Sequence, residues 1–194
     1  MIPTFLVKSN IPTIASVKPY TPLELHGRDI YIREGCYLCH SQMIRPFRSE
    51  VVRYGEYSKA GEFVYDHPFQ WGSKRTGPDL AREGVGNLKK SNAWHYNHLD
   101  EPSAISAGSV MPAYSFLIDH DLDTASTPAK IRAMQTLGVP YEQGFDQKAN
   151  EALMSQAKGI AADLKANGIS VPANKEVVAL IAYLQRLGTD ISKK

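Results

Sequence analysis

Cys36, Cys39 and His40 are the residues whose type and spacing point most directly to chemistry. In Cys36-Tyr37-Leu38-Cys39-His40, two thiols two residues apart are followed at once by an imidazole. That pattern suits covalent haem attachment: the thiols reach the two vinyl groups on one porphyrin edge, and the adjacent histidine is set under the iron as proximal ligand. Two other chemistries use the same residue types. A thioredoxin-like redox pair is expected in a βαβ context, whereas this pair follows a helix in an α-rich chain. A zinc site needs four ligands, and no second Cys/His pair has suitable spacing; His95 and His98 both fall on an aromatic helix. Because the chain has only these two cysteines, a disulfide framework is excluded.

A low-spin iron needs a sixth ligand, and five methionines are available. Met1 is terminal, and Met43 is too close to His40 to reach the opposite face. Met134 and Met154 fall on amphipathic helices, where core packing is the ordinary use of methionine. Met111 lies instead in the irregular polar segment Gly108-Ser109-Val110-Met111-Pro112, with Pro112 restricting the backbone beside it. His40 and Met111 are therefore the expected axial pair, and a thioether opposite an imidazole raises the reduction potential. In Gly77-Pro78-Asp79-Leu80, the Pro78 carbonyl is placed to accept a hydrogen bond from His40 Nδ1, which would orient the ring. Arg45, Arg48, Lys74 and Arg75 flank the haem segment and are candidates to pair with its propionates, with Trp71 and Tyr57 as further donors. The motif alone leaves an electron carrier, a peroxidase and a gas sensor open. A single Cys-x-x-Cys-His and a methionine ligand favour the carrier.

Helices must position these residues. Thr21-Pro22-Leu23-Glu24 reads as a capping box with proline at the first helical position, opening a helix that runs to about Gly35. Gly27 and Tyr31 share a face of it, and a glycine there allows close approach by another helix. Residues 41–76 read as a long structured loop with a short hairpin around Tyr54–Tyr65. Residues 77–83 read as a turn and a short helix, and 91–100 as a helix capped by Ser91. Further helices are expected over 126–137, capped by Thr127, over 146–166, and over 174–187 with Val177, Leu180, Ile181, Leu184 and Leu187 as an apolar stripe. Period-2 alternation is nearly absent, so the fold is expected to be mainly α.

Composition narrows the class further. The 194 residues hold 22 basic and 20 acidic side chains and are 43% apolar, ordinary for a globular protein and without a basic nucleic-acid patch. No apolar run approaches the roughly 20 residues of a bilayer span. The proline-punctuated start has no apolar core or cleavage site of a signal peptide.

The helix before Cys36, the Gly-Pro-Asp-Leu turn, Met111-Pro112 and the final helix together resemble a class I cytochrome c. Three longer blocks, YTPLELHGRDIYIREGCYLCHSQMIRPFRSE, RYGEYSKAGEFVYDHPFQWGSKRTGPDLAREG and SVMPAYSFL, resemble the monohaem subunit II of cbb3-type cytochrome c oxidase. The resemblance implies one covalent haem c, with Cys36 and Cys39 as thioether cysteines, His40 and Met111 as iron ligands and Pro78 as the backbone partner of His40. It implies that segment 41–76 packs against the haem and the catalytic subunit. It further implies an electron relay that is no enzyme by itself. Electrons would come from the dihaem subunit III or an upstream cytochrome c and pass to catalytic subunit I, where a haem–copper centre reduces oxygen to water. The expected place is the periplasmic face of the bacterial inner membrane. The expected organisation is a lead-in over 1–20 that follows a missing membrane anchor, then a cytochrome domain over 21–190 with insertions at 41–76 and 119–170. The chain as given is expected to be the soluble head of an anchored protein.

Overall fold

The computed structural model describes residues 13–70 and 72–191. Among the described residues eight α-helices carry the fold: α1 (Pro22–Arg33), α2 (Arg48–Tyr54), α3 (Asn92–Asp100), α4 (Pro102–Ile105), α5 (Phe116–Asp119), α6 (Thr127–Thr136), α7 (Phe145–Ala166) and α8 (Glu176–Arg186). No sheet forms among the described residues, and the one extended pairing is an isolated antiparallel bridge between Asp121 and Lys175. The fold is mainly α, as the sequence pattern predicts.

The N-terminus of α1 forms as its residues dictate. The Thr21 hydroxyl accepts from Glu24 N–H, the Glu24 carboxylate accepts from Thr21 N–H at 2.8 Å, and Pro22 stands in the first turn. α1 packs across α8, which is buried on every side from Glu176 to Leu184. An all-round apolar helix belongs in the middle of a core, and the predicted one-sided stripe is too narrow a description of it. Leu23, Tyr31, Val177, Leu180, Ile181 and Tyr183 are all buried there to 1% exposure or less. Each such aliphatic side chain contributes roughly 1.5–3 kcal/mol through its burial.

Gly27 sets the spacing of this crossing. A Cβ built on it would lie 2.0 Å from the Ala179 carbonyl oxygen and 2.7 Å from Tyr183 Cβ. Ion pairs hold both ends of the crossing. Arg33 donates two parallel bonds to Glu176, at 2.8 and 2.6 Å, and Arg186 lies between Glu24, at 3.3 Å, and Asp190. A second core cluster of Leu25, Ile131, Met134, Val139 and Ala149 joins α1 to α6 and α7, so residues 127–166 pack on the flank of α1.

Three local expectations differ from the structure. The stretch Tyr54–Tyr65 forms no hairpin; α2 ends at Tyr54 and a 3₁₀ turn covers Ala60–Phe63. Its aromatic residues find separate partners, Tyr54 under Arg75 and Tyr65 against the second core cluster, rather than pairing across strands. Residues 77–80 form no helix because their backbone bonds sideways to residues 39–41; turns follow over 81–84 and a 3₁₀ turn over Gly86–Leu88. Thr127 begins α6 without capping it, since its hydroxyl is 2.9 Å from His26 Nε2.

His26 is 3% exposed and hydrogen-bonded at both ring nitrogens. Lys130 Nζ can only donate, so Nδ1 accepts at 3.2 Å and Nε2–H donates to Thr127. Burial first, then the Lys130 charge, push His26 down to about 4, against about 6.5 in an unfolded chain. The unfolded chain therefore binds the extra proton between these values, and stability falls as pH drops through that window.

Two outcomes follow. Gly27→Ala should destabilise the fold by roughly 1–3 kcal/mol in chemical denaturation, because backbone rather than a flexible side chain blocks the added methyl. His26→Gln should flatten the acid limb: between pH 7 and pH 5 the native protein should lose about 2 kcal/mol more than the variant, read from paired denaturation curves.

Candidate functional site

Gly35, at φ +71°, ends α1 and turns the chain into a 3₁₀ turn over Cys36–Leu38. The backbone bonds Leu38 N–H to Gly35 O, 2.9 Å, and His40 N–H to Cys36 O, 2.9 Å, coil the two cysteines and the histidine into one compact turn. Both cysteines are free thiols, Cys36 half-buried and Cys39 exposed. Burial pushes the Cys36 thiol up to about 12. A thiol so disfavoured as thiolate is poorly suited to thioredoxin-like exchange, which depends on a lowered pKa.

The core fixes this turn from below. Tyr31 on α1 donates to the His40 carbonyl at 3.4 Å, and the buried Gln42 amide bonds the Tyr183 hydroxyl on α8 at 3.0 Å. The α1–α8 crossing therefore holds the backbone on both sides of the imidazole. The ring itself is set by the segment 77–80, which runs alongside residues 39–41 through Gly77 N–H to Cys39 O, 3.1 Å, and Leu80 N–H to Ser41 O, 2.9 Å. His40 Nδ1–H donates to the Pro78 carbonyl at 2.8 Å. Gly77 lies flat against the imidazole: a Cβ there would be 2.2 Å from His40 Cε1. Burial pulls the His40 pKa below its ordinary value, more than the Pro78 carbonyl and Asp79 raise it. The ring is thus neutral with Nδ1 protonated, and its Nε2 lone pair makes no hydrogen bond among the described residues.

Asp79 and Glu50 brace that segment. Asp79, 1% exposed, accepts from Ser41 Oγ at 2.7 Å, Met43 N–H at 3.0 Å and Ala81 N–H at 2.8 Å. Glu50 accepts from Arg75 Nη2 at 2.6 Å and from the Arg45 backbone and guanidinium at 2.9 and 2.6 Å. The Arg75 bond, and after it those of Arg45, hold the Glu50 carboxyl down to about 2. Arg75 also donates to Ser41 Oγ at 2.7 Å and stacks over Tyr54 at 5.1 Å. The guanidinium groups of Arg45 and Arg75 thus already have carboxylate partners, for which a haem propionate would have to compete. Arg48, Lys74 and Tyr57 are exposed, with Lys59 over the Tyr57 ring at 5.9 Å. Trp71 lies outside the described residues.

Met111 is half-buried and packs against the main core, as Cys36, Tyr37 and Tyr114 each do. Its loop is tied to the end of α3 by Tyr114 N–H to Leu99 O, 2.7 Å, and Ser115 Oγ to Asp100 O, 3.0 Å. Met134 sits in the second core cluster, and Met154 packs on the main one. A cleft of about 520 Å³ lies elsewhere, among Thr21, Glu24, Gln156, Arg186 and Asp190, and includes no residue of the Cys36–His40 turn.

Sequence reasoning missed Gly77, Asp79, Glu50 and Ser41. A glycine and an aspartate around Pro78 are ordinary turn residues, and nothing in a linear pattern marks that Gly77 lies against His40 or that Asp79 bonds Ser41 and Met43. Glu50 carried a weak signal, an acid set in an arginine-rich stretch.

A neutral imidazole nitrogen, a thioether and two free thiols are a donor set that fits a covalently held haem. Comparison with known proteins bears on the same point. The family model described as cytochrome c oxidase, mono-haem subunit/FixO, matches residues 1–191. No curated protein sequence matches the chain. Since the match extends over nearly all of its length, the chain belongs to the FixO family, the mono-haem subunits of cytochrome c oxidase.

Proposed function

We propose that this chain is the electron relay of a cbb3-type cytochrome c oxidase, working through one haem c bound at Cys36, Cys39 and His40. The observation that carries the reading is the single side-chain hydrogen bond of His40. Nδ1 is committed to the Pro78 carbonyl, with Gly77 against the ring, so the imidazole is orientated and Nε2 is left to bind a metal. Haem iron supplies reversible one-electron chemistry when bound, and the protein's part is to hold and tune it.

Each residue has a task in this reading. Cys36 and Cys39 anchor the macrocycle by thioether bonds to its vinyl groups. His40 Nε2 is the proximal ligand, and Pro78 accepts its Nδ1 proton and raises its basicity. Met111 supplies the sixth ligand from the loop that α3 anchors, and its thioether favours the reduced state. Asp79, Glu50, Arg45 and Arg75 keep the segment under His40 rigid, which limits rearrangement when the charge on the site changes. A relay of this kind holds no oxygen-reducing centre. It takes electrons from the dihaem subunit III or an upstream cytochrome c and passes them to catalytic subunit I, at the periplasmic face of the inner membrane. Membership of the FixO family supports an oxidase complex as its setting. Among the described residues no helix is long and apolar enough to cross a membrane.

The decisive experiment matures the chain in an exporting host with haem-attachment machinery. One haem that resists acid–acetone extraction, with a ferrous spectrum unchanged by carbon monoxide, is the expected result. Extractable haem or ready carbonylation would instead favour a sensor or peroxidase-like protein.

Two variants separate the ligands from the core. Met111→Ala should abolish the methionine–iron charge-transfer band, lower the potential and admit carbon monoxide. Met134→Ala should leave the spectrum intact while costing roughly 2–5 kcal/mol of stability. Gly77→Ala should push the imidazole off the Pro78 carbonyl and give a partly high-spin haem, visible in the Soret and near-infrared spectra.

A further inference from the structure

Three buried side-chain atoms lack a hydrogen-bond partner among the described residues: His95 Nε2, His98 Nδ1 and Asn150 Oδ1. Orphaned buried polar atoms are uncommon, and each has a cause. His95 Nε2 has the Glu83 carboxyl at 3.8 Å, close enough for a slight adjustment to join them. Asn150 lies on α7, next to Ala149 of the second core cluster. His98 is different, because nothing around its Nδ1 offers a partner.

Its surroundings are well defined. The His98 ring stacks on Trp94, one helical turn earlier, at 4.5 Å between centroids and 16° between planes. That contact and the helix leave the ring little freedom. Lys90 Nζ covers the Trp94 ring at 5.5 Å and completes the stack. Burial, and after it His40, hold the His98 pKa below its ordinary value. His40 is held from the Gly77–Pro78 side, whereas His98 lies on α3, to whose end the Met111 loop is tied. The next residue, Leu99, provides the carbonyl that anchors the Met111 loop at Tyr114. Met111 packs against the core cluster to which Leu99 belongs. His98 therefore belongs to the helix that tethers the Met111 loop, and its Nδ1 is uncommitted.

We propose that His98 is a positioning residue for the sixth ligand, its Nδ1–H donating a hydrogen bond to the sulfur of Met111 when the haem is in place. The proposal rests on Met111 as that ligand. A donor at the sulfur withdraws electron density from the methionine–iron bond and favours the reduced state. It also gives the buried nitrogen the partner it lacks, and it restrains the side chain of a loop methionine.

The test is a redox titration of the haem-loaded protein with two substitutions. His98→Phe keeps the stack on Trp94 and removes the donor. His98→Asn places an amide N–H close to the position of Nδ1. The Phe variant should retain the methionine–iron band but show a lower midpoint potential, with a roughly threefold to tenfold smaller reduced-to-oxidised ratio at a fixed poise, the effect of about one hydrogen bond. The Asn variant should recover most of that shift. Equal potentials in the native protein and the Phe variant would overturn the proposal while leaving Met111 as the ligand. A Met111→Ala protein that kept the band would instead remove the ligand assignment and the proposal together. If the Phe variant retains no haem, nitrogen-15 NMR of the reduced native protein decides the matter. A protonated, exchange-protected His98 Nδ1 supports the donor role, and an unprotonated Nδ1 refutes it.

Discussion

The close approach of α1 and α8 is the constraint on which the site depends. Gly27 lets the Ala179 carbonyl and Tyr183 Cβ occupy space that any side chain would take. With the helices at that separation, Tyr31 and Tyr183 come to 5.3 Å between ring centroids. One hydroxyl then reaches the His40 carbonyl, and the other meets Gln42. Two core aromatics thereby register the backbone on either side of the imidazole. A wider crossing would keep most of the apolar burial and lose that register, because burial is non-directional and hydrogen bonds are not.

A second, polar layer turns a placed histidine into an orientated one. Asp79 gathers donors from residues 41, 43 and 81, and Glu50 gathers Arg45 and Arg75. These carboxylates lie in low-exposure surroundings where an unpaired charge would be costly, so each is surrounded by donors. The outcome is a rigid segment whose Gly77 and Pro78 meet the ring from one side. The Arg28–Asp66 pair acts similarly further along the loop. It is buried on both members, at 2.5 Å, with Tyr20 donating to the same carboxylate at 3.2 Å, and so ties the loop after α2 back to α1. Burial opposes the Arg28 charge, but the adjacent Asp66 outweighs it and holds the guanidinium above its ordinary pKa.

Local signals read well in this chain, and long-range ones did not. The capping box at Thr21 and Glu24 was legible because its bonds close within three residues. So were Ser91 at the start of α3 and the apolar residues of α8. Gly27 could be read as a site of close approach, though not which helix would approach it. The supposed hairpin at Tyr54–Tyr65 and helix at 77–83 failed for a common reason. Both stretches satisfy their backbone and side chains against distant residues, 39–41 and Arg75 among them, and that competition is invisible to local propensity.

By itself, the sequence determined the chemistry on offer: two thiols and an imidazole at a spacing suited to one porphyrin edge, a loop methionine kept out of any helical face, and a mainly α frame. These are properties of residue type and near neighbours. Only the tertiary structure decided how the chemistry is presented. It alone shows that His40 gives its Nδ1 proton to Pro78, that Gly77 makes room for the ring, and that Arg45 and Arg75 serve Glu50. It alone shows that His98 keeps a buried nitrogen without a partner. Each of these facts joins residues 16 or more positions apart in the chain, or lies in exposure and angle, except for the short Arg45–Glu50 contact. Such relations arise when the helices close on one another and the loops choose among competing partners.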